Sequence, residues 1–244
     1  MDFLLLFFIG IFAAIIGVMF GAAGFVLLPA MLLFGIPIHT TIAANKFATG
    51  VSSLTTALTL ILHKKVSLKK MSPLMLLAVL GGISGAFLAT RLSDDTMNIV
   101  ACIILIAMFF VVLKGTPSPQ LAEREEPIRH HRSITPFFIG IYDGGFGPGS
   151  ALMNITYFLK QRYSYVQAAE HTRFLMFASC MGAFGFYYLY GIVHWDIAIP
   201  VTLGSIVGSH IGMRLTPYLK GAWLRWILPI IFLVLIGQVL WKLL

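Results

Sequence analysis

One apolar segment, residues 134–159, is interrupted at its centre by the run Asp143-Gly-Gly-Phe-Gly-Pro-Gly-Ser150. The apolar piece on each side is about nine residues long, roughly half of the 20 residues that a helix needs to cross a bilayer. Glycine and proline cannot sustain a helix through this run, and unpaired backbone at membrane depth is tolerated only where protein or a water-filled cavity satisfies it. Because broken helices mark the substrate sites of many transporters, we predict that this segment forms one wall of such a site.

The remainder of the chain is also predominantly apolar. Of 244 residues, 59% are hydrophobic and only 11% are charged, whereas a soluble domain has about 25% charged residues. We therefore predict an all-α, multi-pass integral membrane protein. The predicted apolar spans are residues 3–34, 40–62, 71–92, 97–113, 134–159, 165–190, 195–213 and 222–243.

Two parts of the sequence resemble each other, which indicates an internal repeat. Leucine, glycine, isoleucine and arginine recur at matching places in residues 80–92 and 203–215. The long first span, residues 3–34, is also interrupted by glycines and so corresponds to residues 134–159. We predict two inverted repeats, each a broken or re-entrant helical hairpin followed by three transmembrane helices.

The charges in the loops favour this arrangement. If both broken segments return to the side from which they entered, thirteen basic residues lie on one side of the membrane, and only Arg91 and Lys242 lie on the other. This asymmetry follows the positive-inside rule, so the net charge of +8 does not indicate nucleic-acid binding. The predicted parts are a first repeat at residues 1–113, a cytoplasmic linker at 114–133 and a second repeat at 134–244.

In this arrangement, half-helices that start near Ala23 and Ser150 direct their N-termini towards the centre of the membrane. Helix N-termini present free N–H groups and about half a positive charge, which favours an anion. Glycine lets a ligand approach the backbone closely, and a serine hydroxyl adds a donor or caps its helix. The alternative is that the glycines serve only tight packing. The predicted substrate-binding residues at the two breaks are Gly24, Gly147, Gly149 and Ser150.

Two basic residues, Lys46 and Arg173, lie well inside predicted spans. A charge at the centre of a transmembrane helix costs about 2.5–3.5 kcal/mol, so each is expected to face a partner or a polar cavity. We predict that both bind a substrate anion. The alternatives are that Lys46 extends to the near membrane interface, and that Arg173 pairs with Glu170 on its own helix. Asn45 and Asn154 are candidate neutral donors, with a bond to nearby backbone as the alternative.

Three titratable residues, Asp143, Glu170 and His171, are candidates for coupling transport to protons. A buried carboxylate at Asp143 could carry the coupling proton, or it could cap the turn through its own backbone. His171 could shuttle protons or be a structural histidine. The sequence shows no metal-ligand spacing and no nucleophile–base motif, so we predict neither a metal, nor a cofactor, nor an enzyme.

Other glycines have the spacing of helix-packing motifs. The runs Gly81-x-x-x-Gly85 and Gly204-x-x-x-Gly208-x-x-x-Gly212 place small residues on one helix face. Helices in membranes approach each other closely at such faces. We therefore predict a packing role for these glycines and no contact with substrate.

The order of a glycine-rich break, Ala44-Asn45-Lys46, a basic loop and Gly140-Ile-Tyr-Asp-Gly-Gly-Phe-Gly-Pro-Gly149 resembles the sulfite exporter TauE/SafE family of membrane permeases over nearly the whole chain. In this resemblance Thr172-Arg173 matches Asn45-Lys46 in the other half, which makes Thr172 a further candidate substrate ligand. Family members are associated with the export of sulfite and small organosulfonates, so the resemblance implies an anion exporter. It also implies a place in the cell (inner) membrane of a bacterium or an archaeon. The chain departs from the family pattern at Gly21-Ala22-Ala23-Gly24, which is usually richer in glycine.

We therefore expect a secondary transporter that exports a small oxyanion, sulfite or an organosulfonate, through a midplane site between the two broken helices. An anion channel, or a transporter of another small organic anion, is the alternative. The expected partners are the small anionic substrate, the lipid bilayer and, in a homo-oligomer, further copies of the chain.

Overall fold

The computed structural model describes residues 3–113 and 133–218, and this part of the chain is helical without a strand. The predicted span 222–243 and all but the last residue of the predicted linker lie outside the described residues. The all-α membrane fold class is confirmed. The helices are α1 (Phe3–Phe20), α2 (Ala23–Leu33), α3 (Ile38–Leu62), α4 (Leu68–Ala89), α5 (Asp94–Leu113), α6 (Thr135–Gly145), α7 (Ser150–Lys160), α8 (Tyr165–Leu189) and α9 (Trp195–Leu215), followed by a 3-10 turn at Thr216–Tyr218.

Both predicted helix breaks are present in the structure. Gly21, with φ of +72°, separates α1 from α2, and the break between α6 and α7 contains Gly147 and Gly149, with φ of +106° and +85°. Glycine adopts these left-handed conformations without the steric cost that a Cβ would add. Helices α2, α6 and α7 have 11 residues each, which is about 16 Å and half of a bilayer core.

The outer and inner helices differ in polarity. Three helical segments, Phe3–Phe20, Leu68–Ala89 and Trp195–Tyr218, are long and apolar enough to cross a membrane. Helices α3 and α8, with 25 residues each, pack against each other at the centre and are more polar. Their buried polar residues are Thr40, Thr41, Asn45, Lys46, Ser52, Ser53 and Thr56 on α3, and Glu170, Thr172, Arg173 and Ser179 on α8. The molecule therefore has a polar centre inside an apolar shell.

The packing glycines hold helices together as predicted. Helix α1 packs along α9, and α6 packs along α4. A Cβ added to Gly204 would lie 2.0 Å from the carbonyl oxygen of Phe7, and one added to Gly81 would lie 2.2 Å from that of Phe137. Only glycine permits this approach, so the packing interpretation is confirmed. Each broken segment thus packs against the other predicted half, while the inverted symmetry of the halves stays a prediction.

Candidate functional site

The two helix breaks lie against each other. A Cβ built on Gly21 would lie 2.4 Å from the backbone nitrogen of Leu152, near the start of α7. A Cβ on Gly24 would lie 2.9 Å from the Cα of Pro148, in the second break. Because glycine has no side chain at these two positions, the broken segments can meet, as the sequence predicts. Gly24 therefore packs against the opposite break.

Lys46 on α3 and Asp143 on α6 form a buried ion pair beside the second break. The Lys46 Nζ lies 3.0 Å from Oδ1 of Asp143, and both side chains are 1% exposed. The same carboxylate accepts hydrogen bonds from Ser150 Oγ (2.6 Å), Ser179 Oγ (2.5 Å) and Cys180 Sγ (3.3 Å). Four donors from α3, α7 and α8 therefore converge on one carboxylate. The interface alternative for Lys46 is excluded by its burial.

Gly147 and Gly149 shape the backbone around this ion pair. A Cβ on Gly147 would lie 2.3 Å from the Nζ of Lys46 and 3.4 Å from Oδ1 of Asp143. Gly149 precedes the first residue of α7 and has a left-handed conformation. That conformation lets the chain reverse so that the Ser150 hydroxyl meets the carboxylate. Both glycines therefore build the pocket of the ion pair.

Tyrosines from α8 satisfy backbone carbonyls that the helix breaks leave free. The Tyr187 hydroxyl donates to the carbonyl oxygen of Gly144 at 2.9 Å, and the Tyr165 hydroxyl donates to that of Met19 at 2.5 Å. The last carbonyls of any helix lack intrahelical partners, and at membrane depth an unpaired carbonyl is costly. These two contacts, which our sequence reasoning missed, fix the ends of α6 and α1 against α8.

Arg173 lines a different part of the centre, a small cavity between α1, α2, α3, α8 and α9. The side chain is 4% exposed, and its Nε and Nη2 have no hydrogen-bond partner among the described residues. Ala23, the first residue of α2, also lines the cavity. The polar side chains around it are Asn45, Thr49, Ser52, Arg173, Ser205 and Ser209. The buried guanidinium, whose Nε and Nη2 have no partner within residues 3–113 and 133–218, thus faces hydroxyl and amide groups and a half-helix N-terminus.

The predicted cations lie in two different environments. Lys46 is paired with Asp143, whereas Asn45, its neighbour in sequence, lines the Arg173 cavity. The Thr172 hydroxyl is buried without a hydrogen-bond partner among the described residues. Asn154 donates through Nδ2 to the Met176 sulfur at 3.7 Å.

Glu170 and His171 face other partners. Glu170 Oε1 accepts a hydrogen bond from Lys65 Nζ at 3.1 Å, so its ion pair is with the loop after α3 and not with Arg173. His171 Nδ1 lies 2.7 Å from the carbonyl oxygen of Gln167, and its ring packs on Tyr163 at 4.7 Å between centroids. Neither residue lines the Arg173 cavity.

Serines contribute more to the centre than the sequence reasoning allowed. Ser179 bonds the Asp143 carboxylate, and Ser52, Ser205 and Ser209 line the Arg173 cavity. The available signal was the presence of serine inside otherwise apolar helices. That signal is weak, because serine in a membrane helix often bonds its own backbone, as the Ser52 hydroxyl does with Thr49 O at 3.2 Å.

Comparison with known proteins decides the family. The family "Sulfite exporter TauE/SafE" matches residues 6–239 of the chain. The chain belongs to the sulfite exporter TauE/SafE family. No solved structure gave a significant match.

Relatives of this TauE/SafE protein are bacterial and bear transporter names. "Probable membrane transporter protein ORF9" of Sinorhizobium sp is 32% identical over 203 residues, which cover 80% of this chain and 75% of that protein. A "Probable membrane transporter protein" of Haemophilus influenzae is 24% identical over 214 residues, 86% of this chain and 84% of the relative. "Probable membrane transporter protein YfcA" of Escherichia coli is 25% identical over 217 residues, 86% of this chain and 79% of the relative.

These findings identify the broad function of the TauE/SafE chain. It is a multi-pass protein of a bacterial membrane, and it is a membrane transporter and not an enzyme. The names of the three relatives specify no substrate. The chemistry of the buried centre is therefore the basis for assigning one.

Proposed function

We propose that this transporter exports a small oxyanion, sulfite or an organosulfonate, and that the anion binds beside Arg173. One observation carries the proposal: Arg173 is 4% exposed, yet its Nε and Nη2 have no partner among the described residues. Buried charged donors are expensive unless they are paired, and nearly all buried polar groups in proteins have partners. A bound anion would supply the missing acceptor.

The shape of the guanidinium suits an oxyanion with several oxygens. Nε and Nη2 lie on one edge of the planar group and can donate two parallel hydrogen bonds. Sulfite and sulfonate groups offer two oxygens to this edge and a third to the surrounding hydroxyls. Ser52, Ser205 and Ser209 line the cavity. The hydroxyls of Ser52 and Ser205 would turn from their backbone acceptors, the carbonyl oxygens of Thr49 and Gly10, to donate to that third oxygen.

The α2 half-helix adds a second source of positive potential. Its first residue, Ala23, lines the cavity, and no side chain caps the helix N-terminus. Free N–H groups at a helix start favour an anion, an effect that is strongest where water is excluded. The cavity combines this dipole with the single positive charge of Arg173, which suits an anion of low charge.

The size of the cavity favours a carrier over an anion channel. About 20 Å³ is open to the centre of a water molecule, which is room for about one water. Sulfite is larger, so the helices around Arg173 must separate to admit it. Movement of the two halves against each other would open the cavity to one side of the membrane at a time.

Flux in proteoliposomes tests the proposal. The purified full chain would be reconstituted, and uptake of radiolabelled sulfite or methanesulfonate would be measured with Arg173→Gln beside the matched control Arg91→Gln. Arg91 is an exposed arginine whose guanidinium lies 4.9 Å above the Phe87 ring. We expect Arg173→Gln to lower flux at least about tenfold, the effect of losing roughly 1.4 kcal/mol of binding, and Arg91→Gln to retain it. Equal flux in the two variants would refute the site.

Counterflow separates the carrier from the channel. Vesicles loaded with unlabelled sulfite are diluted into trace labelled sulfite, and the label inside is followed with time. A carrier gives a transient accumulation above the outside concentration, because exchange is coupled through one site. A channel gives simple equilibration, and that result would overturn the carrier assignment.

A further inference from the structure

The helices of the described chain recur at a constant interval. Helices α2, α3 and α4 begin at Ala23, Ile38 and Leu68, and α7, α8 and α9 begin 127 positions later in each case. The contacts are reciprocal as well, since α1 packs along α9 while α6 packs along α4. The helix starts relate α2 and α3 to α7 and α8. The packing glycines relate α4 to α9 at an interval of 123 positions, as Gly81 and Gly204 show, and thereby relate the helices that pack on them, α6 and α1.

The 127-residue interval relates the two buried cations and their serine neighbours. Arg173 follows Lys46 by 127 positions, and Ser179 follows Ser52 by the same number. Ser52 lines the Arg173 cavity, while Ser179 donates to the Asp143 carboxylate beside Lys46. The surroundings of Lys46 and of Arg173 are therefore built from equivalent positions.

The packing of α1 and α6 identifies the residue that differs between the surroundings of Arg173 and those of Lys46. The carbonyl oxygen of Phe7 meets the first packing glycine of α9, and that of Phe137 meets the first packing glycine of α4. On this register Asp143 of α6 stands where α1 has Ala13, and Ala13 lines the Arg173 cavity. An alanine leaves space beside Arg173. An aspartate fills the same space beside Lys46.

We propose that the pocket of Lys46 is a second anion site, equivalent to the Arg173 cavity, which the Asp143 carboxylate fills from within the chain until a small oxyanion displaces it. The chemistry of the contacts supports this assignment. Lys46 Nζ, Ser150 Oγ, Ser179 Oγ and Cys180 Sγ all donate to the carboxylate. A cation, a half-helix start and hydroxyl groups are also what the Arg173 cavity offers.

On this proposal the transport path contains two anion-binding sites. One is the cavity at Arg173, and the other is the Lys46 pocket, which opens only when Asp143 moves away. The second site rests on the proposed function for its role in transport, but its existence does not, because a carboxylate already occupies it. Occupation by an external carboxylate can therefore be tested without sulfite.

Chemical rescue of Asp143→Ala is the direct test. The variant of the full chain is purified in detergent, and its melting temperature is measured in potassium formate and in potassium gluconate at equal ionic strength. Formate reproduces the removed carboxylate, whereas gluconate is too large to enter. Asp143→Ala should melt below wild type in gluconate. Formate at ten times its Kd should then raise the melting temperature by about 3 °C or more.

The double variant Lys46→Met/Asp143→Ala is the matched control, because it keeps the cavity and removes the cation. Wild type should respond to formate much less than Asp143→Ala, because formate must there compete with the Asp143 carboxylate, and the double variant should respond equally to both salts. A formate response of the same size in the double variant, or no response in Asp143→Ala, would overturn the proposal. If Asp143→Ala cannot be purified in gluconate, its recovery in formate becomes the readout, and failure in both salts counts against the second site.

The outcomes separate this proposal from the proposed function. Formate rescue requires Lys46 but neither sulfite nor Arg173, so its absence leaves the flux result for Arg173→Gln standing. Conversely, unchanged flux in Arg173→Gln would remove the substrate site and leave the rescue of Asp143→Ala intact.

Discussion

Lys46 on α3 and Asp143 on α6 stand 97 positions apart in sequence, yet their side chains make a 3.0 Å ion pair that is 1% exposed on each side. Two buried charges lose most of their hydration. The pair is tolerated where the two groups lie at hydrogen-bond distance and further donors satisfy the carboxylate oxygens. The carboxylate takes further hydrogen bonds from Ser150, Ser179 and Cys180. The second helix break is thereby tied to both central helices.

Removing only one charge of this pair should destabilise the protein strongly. Lys46→Met leaves the Asp143 carboxylate buried without its cation, and such losses cost about 3–5 kcal/mol. The double variant Lys46→Met/Asp143→Asn removes both charges. The amide oxygen can still accept from the Ser150 hydroxyl, and the amide nitrogen can donate to the Ser179 oxygen while that hydroxyl donates to the Leu175 carbonyl, so the double variant should recover most of the loss. Unfolding of the purified variants in denaturant gives the coupling energy. Additive effects of the two single substitutions would contradict the pairing.

The helix breaks and the buried cations could be predicted from sequence because both are local signals. Glycine and proline interrupt a helix wherever they cluster, as they do after Asp143, and a lysine or arginine in an apolar span needs a polar environment. The choice of partner is not local. Lys46 pairs with Asp143, 97 positions away. Glu170, which the sequence offered as a partner for Arg173 on the same helix, pairs instead with Lys65, 105 positions away.

The cavity beside Arg173 could not be predicted from the sequence either. It exists because α1, α2, α3, α8 and α9 leave a gap beside Arg173, and residues as ordinary as Ala13 and Ala14 border that gap. Nothing in the alanines themselves signals such a role. The sequence predicted that Lys46 and Arg173 share one anion, whereas the structure surrounds them with separate sets of side chains.

Gly147 should be less tolerant of substitution than Gly191, another glycine with positive φ. In Gly147→Ala the new Cβ would stand 2.3 Å from the Nζ of Lys46, in a backbone conformation of φ +106°. In Gly191→Ala the φ of +76° imposes backbone strain, but no atom of the described residues lies within 4 Å of the Cβ. Strain alone costs about 1–3 kcal/mol, so Gly147→Ala should lower the melting temperature more than Gly191→Ala. Equal losses would show that Lys46 has room to move.

Gly204 should be required for the contact between α1 and α9. Gly204→Ala places a Cβ 2.0 Å from the carbonyl oxygen of Phe7, which belongs to backbone and cannot turn away. The helices must then separate, and we expect a loss of about 1–3 kcal/mol. Gly185→Ala is the control, since within residues 3–113 and 133–218 nothing lies within 4 Å of its Cβ. Gly185→Ala should be neutral or slightly stabilising in the same denaturant unfolding assay, because alanine favours the helix.

The ion pair between Lys65 and Glu170 should respond asymmetrically to the loss of either partner. The Lys65 side chain is 57% exposed and that of Glu170 is 8% exposed. Lys65→Met therefore leaves a buried carboxylate without its cation, while Glu170→Gln leaves an ammonium group that water already reaches. We expect Lys65→Met to cost about 1 kcal/mol, Glu170→Gln to cost less, and the double variant to recover part of the first loss. Lys69→Met is the control for a general charge effect, because Lys69 is exposed and lies in the first turn of α4, just after the loop that contains Lys65. The measurement is the stability of each variant in thermal unfolding at low and high salt. Equal losses of stability in Lys65→Met and Lys69→Met would show that the ion pair contributes nothing specific.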